Sequence, residues 1–209
     1  MKLFATLFIA ACAHSVSAAG LESLENFIKT VKTGHTDFTQ VVTVPAKEGQ
    51  LARSKTSSGT FEFARPGRFR FVYKKPFAQT IVADGQTLWL YDVDLNQVTA
   101  RKQAQALGAT PAALIASAPD LRALQADFLL ASDGQHEGLE WVLATPKAKD
   151  SVLQSVRVGF RAGALAQLDI VDSFGQKSSL NFQALQANVA LESGSFQFKP
   201  PAGADVIQQ

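Results

Sequence analysis

Cysteine is nearly absent: the chain has one, Cys12, in 209 residues. Cys12 lies in a segment that reads as an export signal, with Lys2 as its positive start, an apolar stretch from Leu3 to Ala13, and Val16-Ser17-Ala18 as a small-residue cleavage site. Removal of residues 1–18 leaves residues 19–209 as a single domain without a thiol, which excludes disulfides and thiolate metal sites. Histidine is scarce too. His35 and His136 remain, both near expected turns and without metal-ligand spacing, so both read as surface residues and no metal site is expected. An excess of one charge is also missing, since 20 basic residues face 18 acidic ones, and no basic run suggests nucleic acid. Beyond the first segment no apolar run is long enough to span a bilayer.

Catalytic signatures are equally thin. There is no Gly-x-Ser-x-Gly elbow and no phosphate-binding glycine loop. Asp92-x-Asp94-x-Asn96 imitates the start of a calcium loop, but Gln97 stands where glycine is required and Gln103 where glutamate is. The pair Asp92 and Asp94 therefore reads as a solvated turn. No catalytic residue and no cofactor are expected.

What the chain has is phenylalanine, 15 in all. Phe61, Phe63 and Arg65 alternate along one run, Pro66-Gly67 turns it, and Phe69, Phe71 and Tyr73 alternate on the way back. Arg68, Arg70 and Lys74 occupy the opposite, wet face. A two-residue loop would pair Phe63 with Arg70, whereas a three-residue loop keeps aromatics facing aromatics. The three-residue loop is expected, with Arg65 at the rim of the aromatic face. An arginine there must find carbonyls or a carboxylate, as a helical cover could provide, or else snorkel outward.

Around this hairpin the period alternates between helix and strand. Leu21, Leu24, Phe27, Ile28 and Val31 recur at helical spacing, with Gly34 as the expected stop. Strands are expected from Thr36 to Val44, near Gln79–Ala83, Thr87–Asp92 and Asn96–Lys102, with Asp84-Gly85 as a turn signal. Between Gln103 and Ala126 the pattern turns helical, with Thr110 and Pro111 opening an alanine-rich helix and Pro119-Asp120-Leu121 a second. Strands resume over Asp127–Ala131, Leu139–Thr145, Gln154–Arg161, Ala164–Val171 and Ser178–Ala184, with turns at Asp133-Gly134, Arg161-Ala162-Gly163 and Phe174-Gly175. Ten or so meandering strands with one dry face must curl around it, giving a mainly β, α+β chain whose helices can cover an open mouth.

Phe63-Ala64-Arg65-Pro66-Gly67-Arg68-Phe69-Arg70-Phe71, Asp84-Gly85-Gln86-Thr87-Leu88-Trp89-Leu90-Tyr91-Asp92 and Gln97-Val98-Thr99 together resemble the LolA family of outer-membrane lipoprotein carriers. Thr110-Pro111 with Leu114-Ile115-Ala116, and the ending Phe196-x-Phe198-x-Pro200-Pro201-x-Gly203-x-Asp205-Val206, extend the resemblance over the chain beyond the signal. It implies an incomplete antiparallel barrel of eleven strands under a lid of short helices, preceded by an N-terminal amphipathic helix. It also implies a monomeric periplasmic chaperone that takes triacylated lipoproteins from an inner-membrane ABC transporter to an outer-membrane receptor. Arg65 matches the arginine that locks the lid. Phe69 and Phe71 match the aromatics of the mouth, and Phe61, Phe63 and Tyr73 join them on the same face. Pro111, Leu114, Ile115 and Ala116 match the lid.

Two other readings remain open at this point. Ile9-Ala10-Ala11-Cys12 resembles a lipobox, which would make the chain a membrane-anchored acceptor of the same fold. A periplasmic module that senses a ligand and signals to a protein partner would use the same barrel.

Overall fold

The computed structural model describes residues 19–46, 51–106, 116 and 118–209. It opens with helix α1 (Ala19–Thr30), whose Leu24, Phe27 and Ile28, at helical spacing, are buried. Strands β1 (Thr33–Val44), β2 (Arg53–Ala64), β3 (Arg68–Lys75), β4 (Gln79–Ala83), β5 (Thr87–Asp92) and β6 (Gln97–Lys102) follow as a meander. Two short helices, α2 (Gln103–Ala106) and α3 (Leu121–Asp127), bound the interruption. The meander then resumes as β7 (Phe128–His136), β8 (Leu139–Pro146), β9 (Leu153–Arg161), β10 (Ala164–Asp172) and β11 (Lys177–Phe182), with β12 (Gln186–Ala187) and β13 (Asp205–Gln208) near the end.

All strands among the described residues belong to one sheet, in the order β13-β6-β5-β4-β3-β2-β1-β11-β10-β9-β8-β7, with β12 beside β1. The two halves of the meander join where β1 pairs with β11, Phe38 opposite Phe182. The path ends at β13 and β7 without closing, so the sheet is an incomplete barrel. The described residues form thirteen strands where about eleven were implied. The surplus lies in the last quarter of the chain, where two residues of β12 annex to β1 and β13 pairs in parallel with β6. A parallel edge strand cannot come from a hairpin turn, which is why a meander reading does not anticipate it.

Three local expectations are corrected. Gly34 does not stop the helix; it pairs with Phe63 inside β1, and a Cβ there would collide with the Phe63 ring. Asp133-Gly134 does not separate two strands, because β7 absorbs it as a register irregularity between Ser132 and Gln135 and turns only after His136. His35 is not a turn residue: it sits within β1 and its Nδ1 meets Glu62 Oε1 at 3.0 Å.

Helix α1 lies against one half of the concave face, over β7 to β10. Phe27 meets the Phe160 ring at 5.7 Å, and Ser23 donates to Glu140. The other half of that face, from β1 to β3, carries the aromatic rings. On the convex side Phe198 packs on Trp89 and Tyr91. The C-terminal segment also holds the end of α1: Asn188 Nδ2 donates to Thr30 O at 3.0 Å, and its Oδ1 accepts from Lys32 N at 2.8 Å.

Candidate functional site

The β2–β3 hairpin has the three-residue loop. Phe63 pairs with Phe69, Phe61 with Phe71 and Ala64 with Arg68, leaving Arg65, Pro66 and Gly67 as the turn. The register is chosen by what it buries: the alternative would set Phe63 against a guanidinium. Phe61, Phe63, Phe69 and Phe71 are all buried and Tyr73 is partly so. Phe61 stacks on Phe71 at 4.2 Å, and Phe38 meets Tyr73 edge-on at 5.1 Å. Gly59 stands between Phe38 and Tyr73 in the ladder, opposite both, so no side chain separates their rings. Each buried ring contributes about 1.5–3 kcal/mol by leaving water.

Arg65 lies at the rim of this face. Its guanidinium carbon is 5.4 Å from the centre of the Phe27 ring and 5.5 Å from that of Phe63. Nε donates to the carbonyl of Val31 at 2.9 Å, and Nη1 to the carbonyl of Ala118 at 3.0 Å. One side chain thereby joins the exit of α1, the aromatic hairpin and the segment leading into α3. Burial lowers the Arg65 pKa to about 10, which leaves the group charged at neutral pH. Of the expected lid residues, Pro111, Leu114 and Ile115 lie outside the described residues. Ala116 is buried, and its carbonyl accepts from Gly67 N–H at 3.0 Å.

In the sequence Gln103 stood out only as a mismatch to a calcium loop, and its structural part was not anticipated. It is 3 % exposed, at the point where the chain leaves β6. Its Oε1 accepts from Gly85 N–H at 2.9 Å, and its Nε2 donates to Gly67 O at 2.6 Å. Gly67 (φ +73°) is thus gripped twice, through its N–H by Ala116 and through its carbonyl by Gln103. Gln103 and Ala116 are thus both fastened to one residue of the hairpin turn. A lone glutamine between a strand and a helix carries no periodic signal that could have revealed this.

At the opposite end of the aromatic face the sheet opens into a cleft of about 660 Å³, lined among others by Gln40, Val42, Tyr73, Phe77 and Gln79. Tyr73 is the member of the predicted aromatic set that reaches it. Burial raises the Tyr73 pKa to about 12, so its phenol is neutral there. The acidic pair plays a different part. Asp92 accepts from Leu95 N–H at 3.1 Å within its own turn, and the described residues contain no cluster of three potential metal ligands. No helix among the described residues is long and apolar enough to cross a membrane.

Residues 29–199 match the family described as outer membrane lipoprotein carrier protein LolA. A protein of Albidiferax ferrireducens, named outer-membrane lipoprotein carrier protein, is 70% identical over 213 residues, covering 100% of both chains. A protein of the same name from Methylibium petroleiphilum is 50% identical, covering 99% of this chain and 97% of its own. Among solved structures, a DUF1329 family protein of Desulfovibrio piger aligns with a TM-score of 0.50 at 11% identity, over 86% of this chain and 96% of that one. That last likeness is one of fold.

Proposed function

The chain belongs to the LolA family of outer-membrane lipoprotein carriers, and from that membership we propose that it shelters the acyl chains of lipoproteins on its aromatic concave face while they cross the periplasm. Residues 1–18 direct export and are removed. Triacylated lipoproteins are the cargo, an inner-membrane ABC transporter loads it, and an outer-membrane receptor unloads it. The protein binds and transfers; it does not turn over its cargo.

The observation that carries this reading is Arg65, bonded at once to Val31 and Ala118 above a face of buried phenylalanines. Burying an acyl chain is worth about 0.8 kcal/mol per CH₂, so a sixteen-carbon chain approaches about 12 kcal/mol. A receptacle that gained all of that would not release its load. When no cargo is bound, the roof, formed by α1 with Ala116 and Ala118, and the aromatic rings bury one another, and cargo must displace that self-contact. Net affinity is the difference between two burials. Arg65 sets the balance because its bonds exist in the roofed arrangement and break when the roof lifts.

Spheroplasts making labelled lipoproteins test the proposal. Added protein is expected to draw newly made, outer-membrane-destined lipoproteins into the medium as a stoichiometric complex. Labelled lipoproteins that stay with the spheroplast membrane in the presence of excess protein would overturn it.

A further inference from the structure

In an antiparallel meander, successive turns alternate between the two ends of the sheet. One end carries the turns at Arg65–Gly67, Asp84–Gln86, Glu137-Gly138 and Ala162-Gly163. None of these shows a large exposed apolar side chain. The other end carries the five connections β1–β2, β3–β4, β5–β6, β8–β9 and β10–β11. Every one of them does: Leu51, Phe77, Val93 with Leu95, Val152 and Phe174, from 42% to 89% exposed. The other large apolar side chains exposed among the described residues are Val44, beside the β1–β2 connection, and Leu129, Val206 and Ile207 on the two edge strands.

We propose that this end of the barrel is a membrane-docking surface, whose apolar tips sink into the headgroup layer of a bilayer containing anionic phospholipid. The tips sit on five separate connections and alternate with charge and backbone. A protein partner would favour a contiguous, complementary patch, whereas a fluid headgroup layer accepts isolated protrusions. The charge around them suits an anionic surface. Arg53, Lys55, Lys74, Lys75, Lys147, Lys149 and Lys177 are exposed within or beside these connections, against Asp92, Asp94, Asp127, Asp150, Asp172 and Asp205. Two of those acids are engaged by their own turns: Asp92 accepts from Leu95 N–H, and Asp172 from Phe174 and Gln176 N–H. Lys55 lies 4.5 Å above the Phe77 ring, placing a cation beside an apolar tip. Lysine stems flanking a buried aromatic are suited to the boundary between headgroups and acyl chains.

This surface is distinct from the roofed aromatic face, and its test needs no lipoprotein. The protein, isolated from cells expressing the full chain, is floated with vesicles of phosphatidylethanolamine and phosphatidylglycerol, and in parallel with phosphatidylcholine alone. Flotation with the anionic vesicles is expected, weakened by 0.5 M salt and at least tenfold weaker on phosphatidylcholine. The triple variant Leu51→Ser, Val152→Ser, Phe174→Ser, whose side chains lie outside the cleft beside Tyr73, is expected to lose at least tenfold in vesicle affinity. Because these side chains are exposed, its thermal unfolding and its lipoprotein release from spheroplasts in excess protein should match the parent's. Equal flotation of parent and triple variant would overturn the proposal. So would a parent that ignores anionic vesicles, including one whose tips instead bind a membrane protein in protein-containing vesicles. Failure here with normal release from spheroplasts leaves the carrier reading intact, and the converse separates the two in the other direction.

Discussion

Arg65 donates from Nη1 to the carbonyl of Ala118 at 3.0 Å, across a sequence separation of 53 residues. The partner is a backbone carbonyl, not a carboxylate, so the link has hydrogen-bond strength without full ion-pair strength. A bond of that kind is worth about 1.5–3 kcal/mol when the donor is charged, enough to bias the movable roof proposed above without fixing it.

Replacing Arg65 by leucine removes the bonds to Val31 and Ala118 together. It also removes the cost of desolvating a guanidinium, so net stability should change by less than about 2 kcal/mol. The fold and cargo binding are expected to survive, while transfer from the loaded protein to acceptor membranes falls at least tenfold. Transfer assays with purified loaded protein, beside a urea unfolding curve, measure both halves. Delivery at the parent's rate would remove the role given to Arg65.

Gln103→Ala leaves Gly85 N–H and Gly67 C=O without their partner in a buried site. The expected loss is about 2–3 kcal/mol of unfolding free energy, from two unsatisfied groups. Gln103→Glu should recover part of this at Gly85 but set a carboxylate against the Gly67 carbonyl. The order of stability expected in denaturant is parent, then Glu, then Ala or close to it; an alanine variant as stable as the parent contradicts the assignment.

Gly34→Ala drives a methyl group into the Phe63 ring. The ring is fully buried and cannot yield without displacing Phe27 or Phe61, at 6.1 and 5.7 Å. Overpacking of this kind costs about 1–3 kcal/mol, and thermal unfolding should report it as a lower melting temperature.

Tyr73 supplies a pH signature. Its folded pKa lies at about 12 against an ordinary value of 10.0. Between those values the unfolded chain has lost the phenolic proton and the folded chain still holds it. Stability contributed by the buried neutral phenol is therefore intact below pH 10 and declines as pH rises towards 12. A shift of this size corresponds to about 2–3 kcal/mol, an upper bound for this one group. Tyr73→Phe should flatten the alkaline decline relative to the parent in unfolding curves taken at pH 9, 10 and 11. Parallel curves would refute the placement of the phenol.

The hairpin was legible down to its register because six alternating side chains made every other pairing bury a charge. The strands Gln79–Ala83 and Thr87–Asp92 were readable to the residue, since an Asp-Gly turn between short apolar runs leaves little freedom. Asp84 also fastens its turn from within. Burial alone would raise its carboxyl, but the N–H groups of Thr87 and Gln86 and the Trp89 indole outweigh that and hold it below the usual range. What stayed hidden depended on distant partners. Gly34 reads as a helix stop until Phe63 is laid across it, and Asp133-Gly134 reads as a turn until β8 is long enough to continue past it. The roles of Gln103 and Asn188 lie in backbone atoms far along the chain, which composition and period do not report.

The sheet ends at β7 and β13 without joining them. In a sealed cylinder the girth follows from strand number and stagger, and widening it would mean tearing a whole ladder of hydrogen bonds. Here the two free margins are spaced by what is packed inside, with α1 wedged along one of them. The interior can therefore swell or shrink by spreading its margins while each interstrand ladder stays intact. On the proposed carrier role, occupants of unequal bulk, with more or fewer hydrocarbon tails, would fit one and the same wall.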